Sequence, residues 1–476
     1  MSSSNDAIDR GRTHVWTIVL LAVVAPFLLT LCAILWRTPY PINEAVALFE
    51  DVAKRPPTDF LIPDTSYYRP LFHLTLMAIW RNAGSLAAKL ALVKLLHMTP
   101  IVLLVVLFAL YLRPRNVLEA SAAAVASMVL IASPGFRDNL EIPLSYTAMG
   151  MPLALMAWIL LNEKAAVWRS VAVFVLALIA IGFKEQGLVL IPLAIVAWWM
   201  GAPGASGRLT GILVALGVAY VAFRLQWRGH WPLFEQSMGL GFSILEPRDA
   251  VARFGSFPYW MYAYNSASTM SNVLLAEPTS GLFYITRNLR YGGLETWEVV
   301  NLGSSLTLTA LIAWWGVRSL RETARGVWSL ESRTFVAMVV VLLSCGVLSF
   351  DYSRDRLGGM VVPFYALAAY FALRAAATQI ASVRSPRVGA AVATLGIVLI
   401  SSGWAIRGAG TLEWVRRTSA TNHIGWLTQL ASRRVEFADR PVYLEIMDSM
   451  IAQGHVTDAP RPTRFPLWVS RAMGPQ

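Results

Sequence analysis

The sequence predicts an all-α polytopic membrane protein with about eleven transmembrane helices. Of the 476 residues, 56% are hydrophobic, and the mean hydropathy is +0.54. Apolar runs of about 15–22 residues recur along the chain, which is the length that crosses a hydrocarbon core. Backbone groups in lipid must bond internally, and the alternating pattern of barrel strands is absent from the sequence. The runs are therefore predicted to be helices.

The predicted helices define a topology with a cytoplasmic N-terminus. In chain order they are 14–36, 87–112, 117–133, 144–161, 170–183, 188–201, 209–225, 299–319, 335–350, 358–374 and 388–406. Arg10 and Arg12 precede the first run, which is too long for a signal peptide and lacks a small-residue cleavage site. Every short loop assigned to the inside contains Arg or Lys, as the positive-inside rule requires.

This topology divides the chain into four parts. Residues 1–225 form a transmembrane module, 226–298 a large outer loop, 299–406 the C-terminal helices and 407–476 an outer, periplasmic tail. The first outer loop is predicted to contain short amphipathic helices near 43–54 and 71–81, lying along the membrane surface. Within the tail, residues 441–446 have the pattern of a strand.

Charge and cysteine content exclude several classes of function. The net charge is +12, but the basic residues are dispersed through loops that flank helices, as is typical of head-group contact rather than of nucleic-acid binding. Cys32 and Cys345 both fall inside apolar runs. Neither a disulfide framework nor a metal-ligand spacing can be built from them.

Polar residues of the first outer loop are candidates for chemistry at the membrane surface. Glu44 follows Asn43 shortly after the first helix, where a carboxylate could take a proton from an acceptor. The alternative is a solvated acid stabilised by the dipole of a short helix. Arg69, held between Tyr68 and Pro70, is a candidate phosphate ligand, or else an arginine that reaches the interface without further role.

Later polar strings add candidates on the same side of the membrane. Asp138 and Glu141 are three residues apart and could orient an acceptor hydroxyl or a metal, or take part in a salt-bridged loop. Lys184 and Glu185 end the fifth helix between apolar stretches, where ionisable residues are costly unless they pair or function. They could bind phosphate or form a structural ion pair.

Two more arginines and a histidine complete the set. Arg354 and Arg356 stand where the ninth helix emerges and could pair bidentately with phosphate oxygens. His97, in the second helix, matches no metal-ligand spacing and is interpreted as a packed polar residue.

The order of these motifs resembles a known family. An early Asn43-Glu44, then Tyr68-Arg69-Pro70-Leu71, Leu95-Leu96-His97 and Lys184-Glu185-Gln186-Gly187 are similar to the polyprenyl-phosphate-sugar-dependent glycosyltransferases of the GT-C fold. The most similar group is the transmembrane O-mannosyltransferases with TPR repeats and their bacterial relatives. The resemblance covers about residues 14–200, and residues 209–406 only by layout and the Arg354/Arg356 loop.

The resemblance implies inverting transfer of a sugar from a polyprenyl-phosphate donor on the outer face of the bacterial cytoplasmic membrane. Glu44 would be the base, with Asp138 or Glu141 as a second acid. The phosphate would be held by Arg69, Lys184, Arg354 and Arg356, with Tyr68, Glu185 and His97 supporting. The partners would be the lipid-linked donor, membrane lipids and a glycan, lipid or protein acceptor, and nucleic acid is not expected.

The chain departs from the family at two points. Asn43 stands where the family has the first Asp of an acidic pair, so one carboxylate is left there and no metal or other cofactor is expected. TPR repeats do not follow the membrane part of this sequence. Two alternatives stay open, namely a flippase or transporter of lipid-linked sugars and an enzyme similar to O-antigen ligases or polymerases.

Overall fold

The computed structural model describes most of the chain. Described are residues 2–37, 49–62, 68–140, 144–228, 238–240, 243–245, 247–255, 259–323, 328–350, 352–383, 386–432, 438, 440–442, 444–445 and 448. The architecture in these residues is almost entirely helical.

The helices follow one another along the whole described chain. They are α1 (Ser2–Arg37), α2 (described part 49–54), α3 (Pro70–Asn82), α4 (Leu86–Leu112), α5 (Val117–Ala132), α6 (Pro134–Asn139), α7 (Ser145–Asn162), α8 (Val167–Phe183), α9 (Leu190–Trp199), α10 (Gly207–Arg228), α11 (Pro247–Phe254), α12 (Tyr259–Leu274), α13 (Thr279–Tyr291), α14 (Thr296–Thr323), α15 (Leu330–Leu348), α16 (Val362–Val383) and α17 (Pro386–Ser432). Short 3₁₀ helices occupy Pro57–Leu61, Glu185–Val189 and Asp355–Met360. A small antiparallel hairpin pairs β1 (Met238–Leu240) with β2 (Ser243–Leu245).

Each predicted transmembrane segment overlaps a helix of the structure, although several bounds differ. Among the described residues, six helices are long and apolar enough to cross a membrane: Val15–Arg37, Leu86–Leu112, Gly207–Arg224, Thr296–Thr323, Leu330–Leu348 and Arg387–Arg417. Four shorter helices are apolar as well. The amphipathic helix predicted at 71–81 is confirmed as α3, and the described part of the 43–54 prediction is helical.

The last helix differs most from its prediction. α17 does not end at 406 but continues to Ser432, so part of the predicted tail is helix. The strand predicted at 441–446 is wrong, because the described residues 441–442 and 444–445 are helical.

Small residues pack the centre of the molecule. α5 is rich in alanine, and Ala122, Ala123 and Ala126 are completely buried. α16 presents Ala366, Ala369 and further alanines in the same way. Small side chains let helix backbones approach closely. Because the hydrophobic effect does not drive helix association within lipid, the dispersion contacts of this close packing stabilise the bundle instead. α5 packs against both α16 and α17, and these two helices pack against each other.

Candidate functional site

Two of the motifs on which the resemblance is based contact each other. They are Tyr68–Leu71 and Lys184–Gly187. Pro70 is the first residue of α3, where its fixed φ favours helix initiation and its missing N–H costs nothing. Leu71 packs so closely on Gly182 that a Cβ at Gly182 would lie 2.5 Å from the Leu71 Cδ1 atom. Gly187 is equally constrained, since a Cβ there would lie 2.6 Å from the backbone of Ala180 and Ile181.

Three charged side chains meet where these motifs join. Glu185 Oε2 lies 3.4 Å from Arg69 Nε, and Glu185 Oε1 lies 3.4 Å from Lys184 Nζ. Lys184 is only 4% exposed, whereas Arg69 and Glu185 are half-buried. Among the described side chains, one carboxylate thus separates two cations, and these three groups have a formal excess of one positive charge. Both separations exceed the roughly 2.7–2.9 Å of tight charged hydrogen bonds.

Tyr68 fixes the approach to this cluster. Its hydroxyl donates to the Leu61 carbonyl at 3.0 Å, and its ring packs against Tyr220 and Phe223 of α10 at 5.9 Å between ring centroids. The Tyr220 hydroxyl donates to the Tyr68 carbonyl at 3.3 Å. The backbone leading into Arg69 is therefore held from two sides.

A second junction brings α6 against the segment 352–360. A Cβ at Gly135 would lie 2.9 Å from the Gly359 backbone N, and a Cβ at Gly359 would lie 2.1 Å from the Asn139 Nδ2 atom. A Cβ at Gly359 would also approach the Gly135 carbonyl oxygen to 2.9 Å. Glycine at both positions therefore permits this backbone-to-backbone contact, because a Cβ on either residue would clash with the backbone of the other.

Charged side chains surround this second junction. The half-buried Asp138 accepts a hydrogen bond from the Arg356 backbone N–H at 3.0 Å. Its neighbour Arg137 is buried and pairs with the buried Asp355 at 3.1 Å. Arg354 lies over the Tyr352 ring and donates to its hydroxyl. The sequence-predicted Asp138, Arg354 and Arg356 therefore lie at one junction.

Both junctions lie at the same end of the helices. α7 and α8 form an antiparallel hairpin, so the start of α7 and the end of α8 are adjacent. Leu144 before α7, Phe72 in α3 and Phe183 before Lys184 belong to one hydrophobic cluster. The structure thus brings parts of three loops, which are distant in sequence, to one end of the protein.

His97 forms hydrogen bonds on both sides of the connection between α6, which contains Asp138, and α7. Its Nε2 atom lies 3.0 Å from the Leu140 carbonyl oxygen, and its Nδ1 atom accepts from the Leu144 N–H at 3.4 Å. This histidine therefore links the residue after α6 to the residue before α7. An Nδ1 acceptor leaves the proton on Nε2, which donates to Leu140.

We expect His97→Ala to destabilise the protein by about 1–3 kcal/mol, because it leaves a buried carbonyl and a buried N–H without their partner. Thermal unfolding in detergent measures the loss, and hydrogen exchange of the Leu144 N–H should accelerate. Thr99→Ala, an exposed site on the same helix, is the control. An unchanged melting temperature for His97→Ala would contradict the assigned role.

One completely buried ion pair was missed by the sequence analysis. Glu277 follows α12, and Arg407 lies in α17; their side chains are 0% exposed and pair at 3.6 Å. Arg407 lies within a long apolar helix, where an ionisable residue is a functional candidate by default. The same rule identified Lys184 in the sequence analysis. It would also have identified Arg407 if the last predicted helix had extended beyond residue 406. Glu277 has no comparable signal in the sequence.

Two predicted acids lie outside the described residues, namely Glu44 and Glu141. The described residues do not contain three His, Cys, Asp or Glu side chains grouped to hold a metal ion. Because Glu44 and Glu141 are outside that set, the expected independence from divalent cations stays a prediction.

A surface cleft lies far from both junctions. It is lined by Ala313, Trp314, Val317, Arg318, Arg321, Glu322 and Gln379. Arg318 is 17 residues beyond Asn301, a partner of Glu277, so at 1.5 Å per residue these two residues are about 25 Å apart along α14. Chemistry at the polar end does not involve this cleft.

The helical fold and the buried charges of the two junctions place the protein in a broad class. It is an all-α membrane protein with buried charged residues at one end of its helices. Comparison with family models, curated proteins and solved structures gave no match to this chain.

Proposed function

We propose that the protein is an inverting glycosyltransferase with a GT-C-type arrangement of about eleven membrane spans. It transfers one sugar from a polyprenyl-phosphate donor to an acceptor on the outer face of the bacterial cytoplasmic membrane. Residues 37–86 and 133–143 form the site in this proposal, and 226–298 covers it.

One observation carries the proposal, namely that basic and acidic groups from distant loops meet at one end of an apolar helical protein. Arg69 and Lys184 share Glu185 there, and Asp138 contacts Arg356. A lipid phosphate needs cations at the membrane surface, and its sugar needs a carboxylate nearby. The flippase alternative is supported less, because it requires charge along a route through the membrane. The buried Arg407 is instead engaged by Glu277 and its neighbours.

The reaction assigns a separate role to each group. Glu44 takes the proton of the acceptor hydroxyl as that oxygen bonds to C1 of the sugar, while the bond from C1 to the phosphate oxygen breaks. A single displacement inverts the anomeric centre. The polyprenyl phosphate leaves with added negative charge, which Arg69, Lys184, Arg354 and Arg356 stabilise. Asp138 or Glu141 orients the acceptor.

The test is transfer by purified protein in liposomes with a panel of radiolabelled polyprenyl-phosphate sugars. We expect Glu44→Gln to lose at least about 100-fold in rate, because general-base catalysis is typically worth that much. Glu119→Gln, at the other end of α5 from the Asp138 loop, is the control and should retain wild-type activity. Full activity of Glu44→Gln would refute the assignment of the base.

The same assay separates the alternatives. Passage of the labelled lipid to the other leaflet without transfer would indicate a flippase, and use of pyrophosphate-linked glycans alone would indicate an enzyme similar to O-antigen ligases. The same assay with EDTA added tests whether transfer requires a divalent cation. Activity that EDTA removes and Mn²⁺ or Mg²⁺ restores would make Asp138 and Glu141 metal ligands.

A further inference from the structure

The surface cleft at the end of α14 combines an apolar wall with two arginines. Its volume is about 560 Å³, within the roughly 300–1,000 Å³ that is typical of small-molecule sites. Ala313, Trp314 and Val317 form the apolar wall, and all three are exposed. Arg318 and Arg321 follow on the same helix. Because residues three and four apart are neighbours on a helix surface, these five side chains share one face of α14.

The opposite face of α14 shows where the cleft lies relative to the membrane. Trp315 is buried, its Nε1 atom donates to Glu331 Oε2 at 3.3 Å, and its ring lies 5.8 Å from that of Phe335. Glu331 is in the first turn of the apolar helix α15, so the cleft is level with the start of a candidate membrane span. Tryptophan is enriched at membrane–water interfaces, and arginine side chains reach the head groups there. An exposed Trp314 followed by two arginines is therefore placed where head groups meet acyl chains.

Contacts with neighbouring side chains orient Arg318 at the edge of the cleft. Its Nε atom donates to Glu322 Oε1 at 3.3 Å, and its Nη1 atom donates to Gln379 Oε1 of α16 at 3.0 Å. Its guanidinium carbon lies 5.9 Å from the centroid of the Trp314 ring. A guanidinium has more N–H donors than these two bonds use, and the Arg318 side chain is still 50% exposed. Arg318 is thus oriented and accessible to an anion.

The charges that line the cleft suit a single monoanion. Arg318 has the carboxylate of Glu322 beside it, whereas the exposed Arg321 has no acidic partner within the described part of the chain. The two arginines and one carboxylate have a formal excess of one positive charge. A phosphodiester has one negative charge, and its oxygens match the planar guanidinium, which binds phosphate bidentately.

We propose that this cleft binds one glycerophospholipid with a net negative head group. Its phosphodiester lies between Arg318 and Arg321, and an acyl chain packs on Trp314 and Val317. The apolar wall favours a lipid over a soluble phosphate, which would leave that wall in water. The net positive charge favours an anionic over a zwitterionic head group. The site is at the other end of α14 from the two junctions, so the inference does not depend on the proposed function.

Native mass spectrometry of the full-length protein tests this site. The protein in detergent is titrated with phosphatidylglycerol or with phosphatidylcholine that has the same acyl chains, and the Kd of the first bound lipid is measured. We expect the wild type to prefer phosphatidylglycerol by about tenfold or more, because each basic residue near a lipid surface strengthens the attraction to anionic lipid. Arg318→Gln/Arg321→Gln should lose this preference. Arg318→Lys/Arg321→Lys should retain part of it, since the charge is kept.

Arg113→Gln/Arg208→Gln is the matched control, because it removes two exposed arginines that lie outside the cleft. It should retain the preference of the wild type. Phosphatidylglycerol should also raise the melting temperature of the wild type and of the control but not of the cleft variant. Arg321→Gln alone breaks no ion pair among the described residues, and we expect it to weaken phosphatidylglycerol binding by about threefold or more.

Three results would overturn the proposal. They are a wild type without preference between the two lipids, a preference that survives in Arg318→Gln/Arg321→Gln, and an equal loss in Arg113→Gln/Arg208→Gln, which would indicate attraction by net charge alone. Competition with glycerophosphoglycerol, the deacylated head group, distinguishes a lipid from a soluble anion. We expect it not to displace phosphatidylglycerol at equal concentration, and displacement would contradict the assignment to a lipid.

Discussion

Lys184→Ala is expected to lower the rate of sugar transfer by about 100-fold or more, since one preorganised group that stabilises developing charge is typically worth that much. Lys184 is buried beside Glu185 and shares that carboxylate with Arg69. Removing it leaves the cluster without its excess positive charge, so the leaving phosphate meets Glu185 and one cation. Initial rates in liposomes with the active donor measure the effect.

Lys164→Ala is the matched control, because Lys164 is exposed at the opposite end of α8. It removes the same charge from the loop that precedes α8 and should retain wild-type activity. Lys184→Arg should recover part of the rate, since the positive charge is kept. A Lys184→Ala variant that folds and transfers sugar at the wild-type rate would exclude Lys184 from phosphate binding.

Asp355→Leu is expected to lower the free energy of unfolding by about 3–5 kcal/mol, because it leaves the buried Arg137 without its partner charge. Both side chains are about 95% buried, and their closest atoms are 3.1 Å apart. Arg137 also stacks on Trp414 of α17 at 4.1 Å, which cannot replace the lost carboxylate. Denaturant titration in mixed micelles, followed by circular dichroism, measures the loss.

The double variant Arg137→Leu/Asp355→Leu should lie within about 1–2 kcal/mol of the wild type, because replacing both members of a buried pair by apolar residues is often neutral. Arg318→Leu is the control; its partner Glu322 is 55% exposed, and such surface pairs contribute only about 0–1 kcal/mol. Additive losses in the double variant would show that the two side chains are not coupled.

Periodicity and hydropathy were sufficient to predict the helices but not their limits. The apolar runs at 87–112 and 117–133 lie within a residue or two of α4 and α5, because length and composition decide whether a helix forms in lipid. α17 was predicted to end at 406, since Arg407 begins a more polar stretch. The helix continues because Glu277 and Asn301 supply partners that make a buried arginine tolerable.

The sequence was sufficient to predict several residues of the candidate site, but it did not predict which of them contact each other. Charged residues beside apolar runs identified Lys184 and Glu185, since burying charge is costly wherever it occurs. The Arg69–Glu185 contact spans 116 positions of the sequence, and the Arg356–Asp138 contact spans 218. Nothing in a single sequence specifies such pairings.

The sequence by itself therefore determined the class of protein, the order of the helices and the chemical types available at their polar ends. Only the tertiary structure decided that Asp138 contacts Arg356, that Arg137 pairs with Asp355 and that Glu277 is buried against Arg407. The reason is physical. Helix formation in an apolar environment depends on local composition, whereas the partner of a buried charge depends on which helices pack together, and close contacts such as that of Gly135 with Gly359 decide that packing.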